Sequence, residues 1–558
     1  MDTVEHNRWL PLLALGVLFA LAFPLAMYAD NLNARQTEPA AVLPPFEDIE
    51  ELWAIEDART ESAAPLVTYL ENDGSPLGYD AQSNTFYCTL GLEPGSDWPE
   101  LLLTAPEASG VSIRFLDDYT YDWRDEAVEE GYPYELIAYT DTEYAYFDLV
   151  FTGLPIVSIH AEQEIGREYV PAYASVSSAE HEAVCSLAKT HLRGSIFYAN
   201  IPKTSYRLEF HRISQTGKDK KNAVSLLGMP ADTDWLLLGN PDDETLLRNH
   251  LSWDMWRKWN PDGNAFSLLE SRMVEVFVND EYMGLYQLMQ RIDPDAEIVR
   301  MGGNLDTDCA FRVIPSINDS NRLVKDFEDT TGLHFELRKP PLRFTEEEAF
   351  DILDSFVALA DVEQGLLDDD AFLQELEAHM DVEALLSYYL YSQAIGSHKE
   401  NTNNNLYVWA MADDDRYRYW YAPWDLDRAF TLSYSQFRMK LLDGQDSVCT
   451  ELRIPVRLLD LGGLDSRRIL WSLWVEKRST VFSDDALQEW FYAAQDLLNL
   501  SGAFRRNAEK WSAETDALDI GDLYYFTLKH IGTLDQYMRE HWSCGEYVPG
   551  GKPTVDAP

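Results

Sequence analysis

The chain is poor in cysteine and in positive charge, and both shortages exclude classes of protein. Its five cysteines form no Cys-x-x-Cys pair and no Cys/His cluster with metal-ligand spacing, so neither a zinc site nor a disulfide-built scaffold is predicted. Lys and Arg number 44 against 96 Asp and Glu, a formal net charge of −52. Because such a surface repels polyanions, nucleic acid is excluded as a partner, whereas a basic protein substrate stays electrostatically favourable.

Apolar and aromatic side chains are plentiful, at 46% and 13% of the residues. A chain of 558 residues is too long for one hydrophobic core, so two or three domains are expected. With this supply of apolar side chains, the stability of the domains is expected to come from packed cores.

The amino-terminal segment Trp9–Tyr28 carries no charge. About 20 helical residues cover about 30 Å, enough to cross the hydrocarbon layer of a membrane. Met27 lies where a cleavage site requires a small residue, which favours an uncleaved signal anchor over a cleaved signal peptide. We therefore expect residues 1–30 to anchor a single-pass protein of the cell membrane, with the acidic bulk of the chain outside the cytoplasm.

Two segments precede the region that carries the motifs. Residues 31–65 are rich in Ala, Pro and Glu and are predicted to form a stalk. Residues 66–152 are predicted to form a small β-rich domain, because runs of β-branched and aromatic residues alternate with Gly, Pro and Asp turns. Three such runs are Phe86–Leu90, Val111–Leu116 and Tyr144–Phe151. Its acidic stretch Asp117–Asp122 lacks the glycine turn and bidentate glutamate of an EF-hand, so we interpret it as a solvated loop rather than a calcium site.

Residues 153–435 begin with strand patterns and continue with amphipathic helices, which predicts an α+β unit with two lobes. Thr345-Glu-Glu-Glu348 has the spacing of a capping box, and Asp381 stands before a second apolar-periodic stretch, so a helix is expected to start at each. Residues 436–545 are predicted to be a helical extension packed on the larger lobe, and 546–558 a disordered tail.

Motifs in a fixed order are the most specific feature of this region. A lysine lies in a strand pattern, and a hairpin pattern follows. A short second hairpin, with an acidic turn predicted at Asp413–Asp415, then separates an asparagine-rich segment from a Pro-Trp-Asp-x-Asp element. The motifs are Arg193-Gly-Ser195, Ile201-Pro-Lys-Thr-Ser-Tyr206, Leu226-Leu-Gly-Met-Pro230, Leu246-Leu-Arg-Asn-His-Leu251, Val276-Phe-Val-Asn-Asp-Glu-Tyr-Met-Gly-Leu-Tyr286, Asn403-Asn-Asn-Leu-Tyr407 and Pro423-Trp-Asp-Leu-Asp427.

In this order the motifs resemble the CotH (spore coat protein H) kinase family, over residues 156–430. The resemblance implies an atypical protein-kinase-like core that transfers phosphate from ATP to Ser or Thr of secreted or surface proteins, with Mg²⁺ or Mn²⁺. It assigns metal binding to Asn405 and Asp425, with Asp427 as the alternative carboxylate. It assigns phosphate binding to Lys203, which we rank above Arg193.

Other positions in the resemblance leave alternatives open. Arg248 either supports the nucleotide site or braces a helix. Glu400 stands where kinase-like sites have an aspartate that orients the acceptor hydroxyl, so it is a catalytic base only if the loop accommodates one more methylene. Gln290, on the nucleotide side, replaces a glutamate of many family members, and nucleotide affinity or choice is expected to differ.

Two further functions remain as alternatives. Glu400 and Gln290 both favour a catalytically weak surface protein that uses the same fold as a scaffold or adhesin. Glycoside hydrolysis by Asp425 and Asp427 is disfavoured, because two carboxylates so close along one strand are not expected to flank one sugar bond. A kinase must bind ATP with Mg²⁺ or Mn²⁺, whereas a scaffold need not, so a measurement of nucleotide binding distinguishes these two functions.

Overall fold

The structure is a computed structural model that describes residues 40–92, 97–106, 110–194, 203–214, 217–260, 269–314, 324–326, 334–361, 366–396, 406–430, 452–512 and 517–543. Within these ranges the chain is α+β, with three sheets and twelve α-helices, which confirms the predicted class. The chain divides into two compact units. The first contains the described residues up to Pro241 together with Ser271–Gln290 and Gln495–Leu518; the second contains Asp242–Glu270, Arg291–Ala494 and the described residues from Asp519.

A ten-stranded sheet occupies the amino-terminal part of the first unit, where the sequence predicts a β-rich domain. The three predicted runs of β-branched and aromatic residues lie in β6, β8 and β10, and their inward side chains, such as Phe86, Ile113 and Phe147, share one core. The elements are β1 (Ala40–Leu43), α1 (Ile49–Ala58), β2 (Thr60–Glu61), β3 (Glu71–Asn72), β4 (Ser75–Pro76), β5 (Gly78–Asp80), β6 (Thr85–Thr89), β7 (Leu103–Ala105), β8 (Ser112–Phe115), α2 (Arg124–Glu130), β9 (Tyr134–Tyr139) and β10 (Glu143–Thr152).

The predicted stalk is wrong from residue 40 onward, because this part of it is folded into the first sheet. β1 pairs with β7 and β8, and β2 pairs with β10. Arg114 of β8 donates to the carbonyls of Pro44 and Pro45, both at 3.0 Å. Proline-rich composition suggested a linker. The carbonyls of Pro44 and Pro45 and the strand β1 instead form hydrogen bonds with residues far away in the sequence, and composition does not reveal such contacts.

An eight-stranded sheet with a separate core forms the rest of the strand structure in the first unit. Its order is β13-β12-β11-β17-β18-β16-β14-β15, and β13 also pairs with β14, so all strands except β15 close into a ring. The strands are β11 (Ile156–His160), β12 (Val170–Ser177), β13 (Val184–Arg193), β14 (Ser205–Ile213), β15 (Asp219–Lys221), β16 (Asp234–Leu238), β17 (Ser271–Val278) and β18 (Glu281–Gln290).

The second unit combines a five-stranded sheet, in the order β20-β21-β19-β22-β23, with helices. β22 and β23 form the hairpin that the acidic turn at Asp413–Asp415 predicted, with Asp413 opposite Arg416 and Leu406 opposite Pro423. The strands are β19 (Cys309–Ile314), β20 (Val324–Asp326), β21 (His334–Lys339), β22 (Leu406–Asp413) and β23 (Arg416–Pro423).

The helices begin largely where the capping patterns placed them. Thr345 and Glu348 exchange the bonds of a capping box, although a 3₁₀ turn (Glu348–Leu353) comes before the α-helix. Asp381 accepts the amide of Ala384 at 2.8 Å and caps the next predicted helix. The remaining helices are α3 (Arg248–Trp259), α4 (Pro294–Arg300), α5 (Asp354–Ala360), α6 (Asp369–His379), α7 (Val382–Ala394), α8 (Arg453–Leu461), α9 (Ser466–Arg478), α10 (Asp484–Leu500), α11 (Ala503–Trp511) and α12 (Gly521–Trp542).

The described residues of the predicted carboxyl-terminal extension, 452–512 and 517–543, are largely helical, as predicted. They do not all belong to one unit. Residues Gln495–Leu518, including α11, belong to the first unit, and only the rest belongs to the second. α11 packs on β18, where Trp511 donates to the carbonyl of Met283 at 3.1 Å. Helical periodicity predicted the extension as a whole, but neither this helix by itself nor its packing on β18.

The predicted membrane anchor (1–30) and the predicted tail (546–558) lie outside the described residues. Among the residues that are described, no helix combines the length and apolarity needed to span a membrane. The anchor therefore stays a prediction from the sequence.

Candidate functional site

The Pro-Trp-Asp-x-Asp element forms a turn directly after β23, which we call the carboxylate loop (Trp424–Phe430). Trp424 and Leu426 are buried, and Trp424 packs edge-on against Tyr407 of β22. Asp425 is exposed and Asp427 half-buried between these anchors. Asp425 has φ of +57°, a left-handed conformation that aspartate tolerates better than most residues. The two apolar side chains thus hold the loop while the two carboxylates stay outside the core.

Side chains from α3 fix the backbone of the carboxylate loop. Asn249 accepts the amide of Leu426 at 3.0 Å, and Arg248 donates to the carbonyl of Ala429 at 2.9 Å and to that of Phe430. Arg248 is therefore a brace of this loop in the structure, and its predicted part in the nucleotide site stays a prediction.

Asp243 joins the start of α3 to this arrangement. Its Oδ2 accepts the backbone amide of Arg248 at 2.8 Å, and its Oδ1 accepts the amide and hydroxyl of Thr245 and Nε of Arg248. Burial raises the pKa of the Asp243 carboxyl, and Arg248 partly opposes this rise. Asp243 thus caps the helix and orients the arginine at once.

The pKa of the Asp427 carboxyl is strongly shifted by its surroundings. Burial and the neighbouring charges of Asp425, Asp243 and Asp242 together raise this pKa to about 7, while Arg428 opposes the rise. A carboxyl whose pKa is raised in this way is stabilised as a carboxylate by a nearby cation. The loop is therefore a place where positive charge is electrostatically favoured.

The donor set of this loop suits a hard divalent cation. Mg²⁺ prefers oxygen ligands and, in phosphoryl-transfer sites, is held by one or two carboxylates together with substrate phosphates and water. Asp425 and Asp427 supply such carboxylates. Within the described ranges no group of three or more His, Cys, Asp or Glu residues is arranged as a metal site. Glu400 and Asn405 lie outside those ranges, and their predicted roles stay predictions.

Lys203 and Arg193 lie together at one end of the β13–β14 ladder in the first unit. Arg193 is the last residue of β13 and pairs with Ser205, two residues beyond Lys203. The ammonium of Lys203 is held at 2.8 Å from Oδ1 of Asn507 and lies 5.1 Å from the ring centroid of Tyr286. The two residues are thus close in the backbone of this ladder, and their phosphate-binding roles stay predictions.

Gln290 lies elsewhere in the same sheet. It pairs with Trp235 near the start of β16, whereas Lys203 packs at Gly239, just beyond the end of that strand. Its Nε2 donates to the carbonyl of Pro230 at 2.9 Å, and its buried Oε1 has no hydrogen-bond partner within the described ranges. Gln290 and Lys203 thus lie next to opposite ends of β16.

Three residues of these arrangements were not singled out from the sequence. Asn249 directly follows Arg248 in a motif that was recognised, and Asp243 stands two residues before Thr245, the spacing of an Asx turn, so both left a local signal. Asn507 left none, because its partner Lys203 is 304 positions away along the chain.

The fold and the carboxylate loop define a class, that of α+β proteins with a kinase-like set of lysine and aspartate motifs. The family model described as CotH kinase protein matches residues 190–525, more than half of the chain. The protein therefore belongs to the CotH kinase family. The match extends beyond the motifs through α10 and α11, and so includes Asn507. A search among curated proteins found no match.

Proposed function

We propose that this protein is a membrane-anchored, ATP-dependent kinase of the CotH type that phosphorylates Ser or Thr hydroxyls of proteins outside the cytoplasm. The observation that carries the proposal is the carboxylate loop, whose backbone is held by Asn249 and Arg248 within the region matched by the family model. Asp425 and Asp427 offer oxygen ligands, and the charge of Lys203 suits a phosphate. Membership of the family supports the use of ATP and a divalent cation.

Each residue has a separate role in this proposal. ATP with Mg²⁺ or Mn²⁺ supplies the phosphoryl group and the charge that neutralises it. Asp425 is the principal metal ligand, with Asp427 and Asn405 beside it, and Lys203 with Arg193 contacts the phosphates. Glu400 orients the acceptor hydroxyl and takes its proton as the oxygen attacks the γ-phosphorus and ADP leaves.

The excess of acidic residues favours a basic acceptor protein. Acidic side chains attract the lysine and arginine residues that surround a basic acceptor site, and the attraction weakens as salt is added. A basic acceptor should therefore be phosphorylated faster than an acidic one at low ionic strength.

A catalytically weak binding protein is the second candidate. The observation that favours it is Gln290, a neutral and fully buried amide tied to Pro230, in the position of a glutamate of many family members. The first sheet also presents two strongly exposed aromatic residues, Tyr121 and Trp123, of the kind found in protein contact surfaces. A scaffold of this kind need not bind nucleotide.

Transfer of labelled phosphate from ATP by the purified full chain tests the first proposal, with Mn²⁺ or Mg²⁺ and with the chain itself and a basic protein as acceptors. We expect D425A to lower transfer by about a hundredfold or more, as for other charge-stabilising groups of active sites. E400Q should also lower it if Glu400 is the base.

The matched control is D415A, which removes an exposed carboxylate at the opposite end of β23. It should leave transfer unchanged, because Asp415 lies in the hairpin turn. If the unaltered chain shows no transfer and no shift of its unfolding temperature with metal and ATP, the kinase proposal is wrong and the binding protein remains.

A further inference from the structure

We propose that Asn507 is the positioning residue of Lys203, so that the carboxyl-terminal helix α11 completes the phosphate-binding part of the first unit. This inference rests on the proposed function, because it takes Lys203 as the phosphate-contacting lysine. In ordinary protein kinases the corresponding lysine is held by a glutamate on a helix. Here the residue that holds it is an uncharged amide on a helix about three hundred residues later in the chain.

The geometry around Asn507 is specific. Its Oδ1 accepts two hydrogen bonds, from Nζ of Lys203 at 2.8 Å and from the backbone amide of Leu285 at 3.1 Å. Asn507 is itself 8% exposed and Lys203 7% exposed. A buried amide oxygen that serves a lysine and a strand amide together fixes the ammonium relative to the β18 backbone.

A bulge in β18 makes room for this contact. The register of β17 and β18 shifts between Val276 and Phe277, next to Gly284, whose φ is +90°. A Cβ on Gly284 would lie 2.6 Å from Oδ1 of Asn507. Any side chain at this position would therefore push the asparagine away, and the bulge turns the amide of Leu285 toward it.

The lysine is enclosed by its own sheet on the other side. A Cβ on Gly239 would lie 3.3 Å from Cγ of Lys203 and 3.3 Å from the ring of Tyr286, and the hydroxyl of Tyr286 donates to the carbonyl of Thr204 at 2.9 Å. The aliphatic stem of Lys203 is thus packed, and its end is hydrogen-bonded. Such a side chain loses little rotamer entropy when it contacts a phosphate.

The helix that carries Asn507 is fixed by the residue before it. Arg506 donates from Nε and Nη2 to the two oxygens of Glu275 at 2.9 and 2.8 Å, and from Nη2 to the hydroxyl of Thr152 at 2.8 Å. This bidentate pair is buried and sets the position of α11 on the sheet. The asparagine is uncharged, so its bond orients the lysine without cancelling the positive charge that a phosphate needs.

Binding of Mn²⁺–ATP by the full chain, measured by titration calorimetry, tests this inference with the variants K203M, N507L, N507D and N499L. We expect N507L to weaken nucleotide binding about tenfold, equivalent to about 1.4 kcal/mol. The affinity of N507D should lie between those of N507L and the unaltered chain, because its carboxylate keeps both acceptor contacts but opposes the charge of the ammonium. N507S, which has a shorter acceptor, replaces N507L if that variant does not fold.

N499L is the matched control. Asn499 lies in the same carboxyl-terminal segment of the first unit and makes two hydrogen bonds, both of 2.9 Å and both to the backbone of Leu518. It should lower the unfolding temperature and leave nucleotide affinity unchanged. Affinity in N507L no weaker than in N499L overturns the inference. Unaltered binding by K203M instead overturns the phosphate role of the lysine, and a chain that binds no nucleotide overturns both.

Discussion

Glu275 in the first unit and Asp427 in the second are carboxylates removed from bulk water in opposite ways. Burial alone would raise the pKa of Glu275, but Arg506, Thr152 and Tyr282 outweigh it and lower the pKa. Burial and, after it, the other carboxylates around Asp427, Asp425 first, together raise its pKa to about 7. The hydrogen bonds and the positive charge that stabilise the Glu275 carboxylate come from the fold itself, whereas Asp427 lies among other carboxylates.

The difference separates a structural charge from the one that we propose binds metal. Glu275 joins β17, the end of β10 and α11 through hydrogen bonds that satisfy both of its oxygens. Asp427 destabilises the folded chain when it is ionised, and such a residue is expected where a cation is to be bound. Substitutions that remove one charge near each carboxylate test this contrast. The predicted effect is largest for Arg506, smaller for Arg248 and smallest for Asp427.

The largest effect is expected for Arg506→Met, which leaves Glu275 buried without its cation. Breaking a buried pair in this way removes about 3–5 kcal/mol from the free energy of unfolding, measured by urea titration. Arg505→Met is the control, because the neighbouring arginine pairs with Glu130 at the surface and should matter far less. Equal losses in the two variants would mean that the buried pair has no special role.

An intermediate effect is expected for Arg248→Met, which removes the brace from the carboxylate loop. Hydrogen bonds of a charged donor contribute about 1.5–3 kcal/mol, so urea titration should show a loss in this range together with weaker Mn²⁺ binding. Arg248→Lys should not restore either property, since it lacks the fork that reaches Asp243 and two carbonyls.

Arg257 lies on the same helix and pairs at the surface with Glu270 at 3.5 Å. Arg257→Met is therefore the control for Arg248→Met and should leave Mn²⁺ binding unchanged. If Arg257→Met weakens Mn²⁺ binding as much as Arg248→Met does, the brace has no role of its own.

The smallest effect is expected for Asp427→Asn, and it has the opposite sign. The pKa of Asp427 is about 7 in the folded chain and about 4 for an unfolded aspartate. Between these values the folded state holds a proton that the unfolded state has lost, so stability falls as pH rises toward 7 and then levels off. Without metal, Asp427→Asn should therefore unfold a few degrees higher than the unaltered chain at pH 8, and not at pH 4.

Thermal unfolding in metal-free buffers from pH 4 to 8 measures this difference, and Asp415→Asn is the control. Added Mn²⁺ should reduce the difference in unfolding temperature between Asp427→Asn and the unaltered chain, because Mn²⁺ stabilises only the chain that keeps the carboxylate. A difference that is the same at every pH would show that ionisation of Asp427 is not its cause.

Much of the local structure was predictable from local patterns. The runs in β6, β8 and β10, the capping box at Thr345 and the cap at Asp381 depend on residues within a few positions of one another. So does the approach of Arg193 to Lys203, because they flank one hairpin. The motif order indicated the family that the family model then showed.

The errors concerned contacts distant in sequence. Residues 40–61 were predicted to be a stalk, because strand pairing with β7, β8 and β10 leaves no mark on composition. The assignment of α11 to the first unit also depends on such a contact, since an apolar helix face does not specify its sheet.

The sequence by itself determined the α+β class, the family, the hairpin that ends in Pro423 and the two aspartates that follow it. Only the tertiary structure decided that Arg248 braces the carboxylate loop, that Arg506 satisfies Glu275, and that Asn507 holds Lys203. Propensity and periodicity act over a few residues, whereas these hydrogen bonds form between side chains brought together by the packing of distant elements, and their energy exists only once that packing is complete.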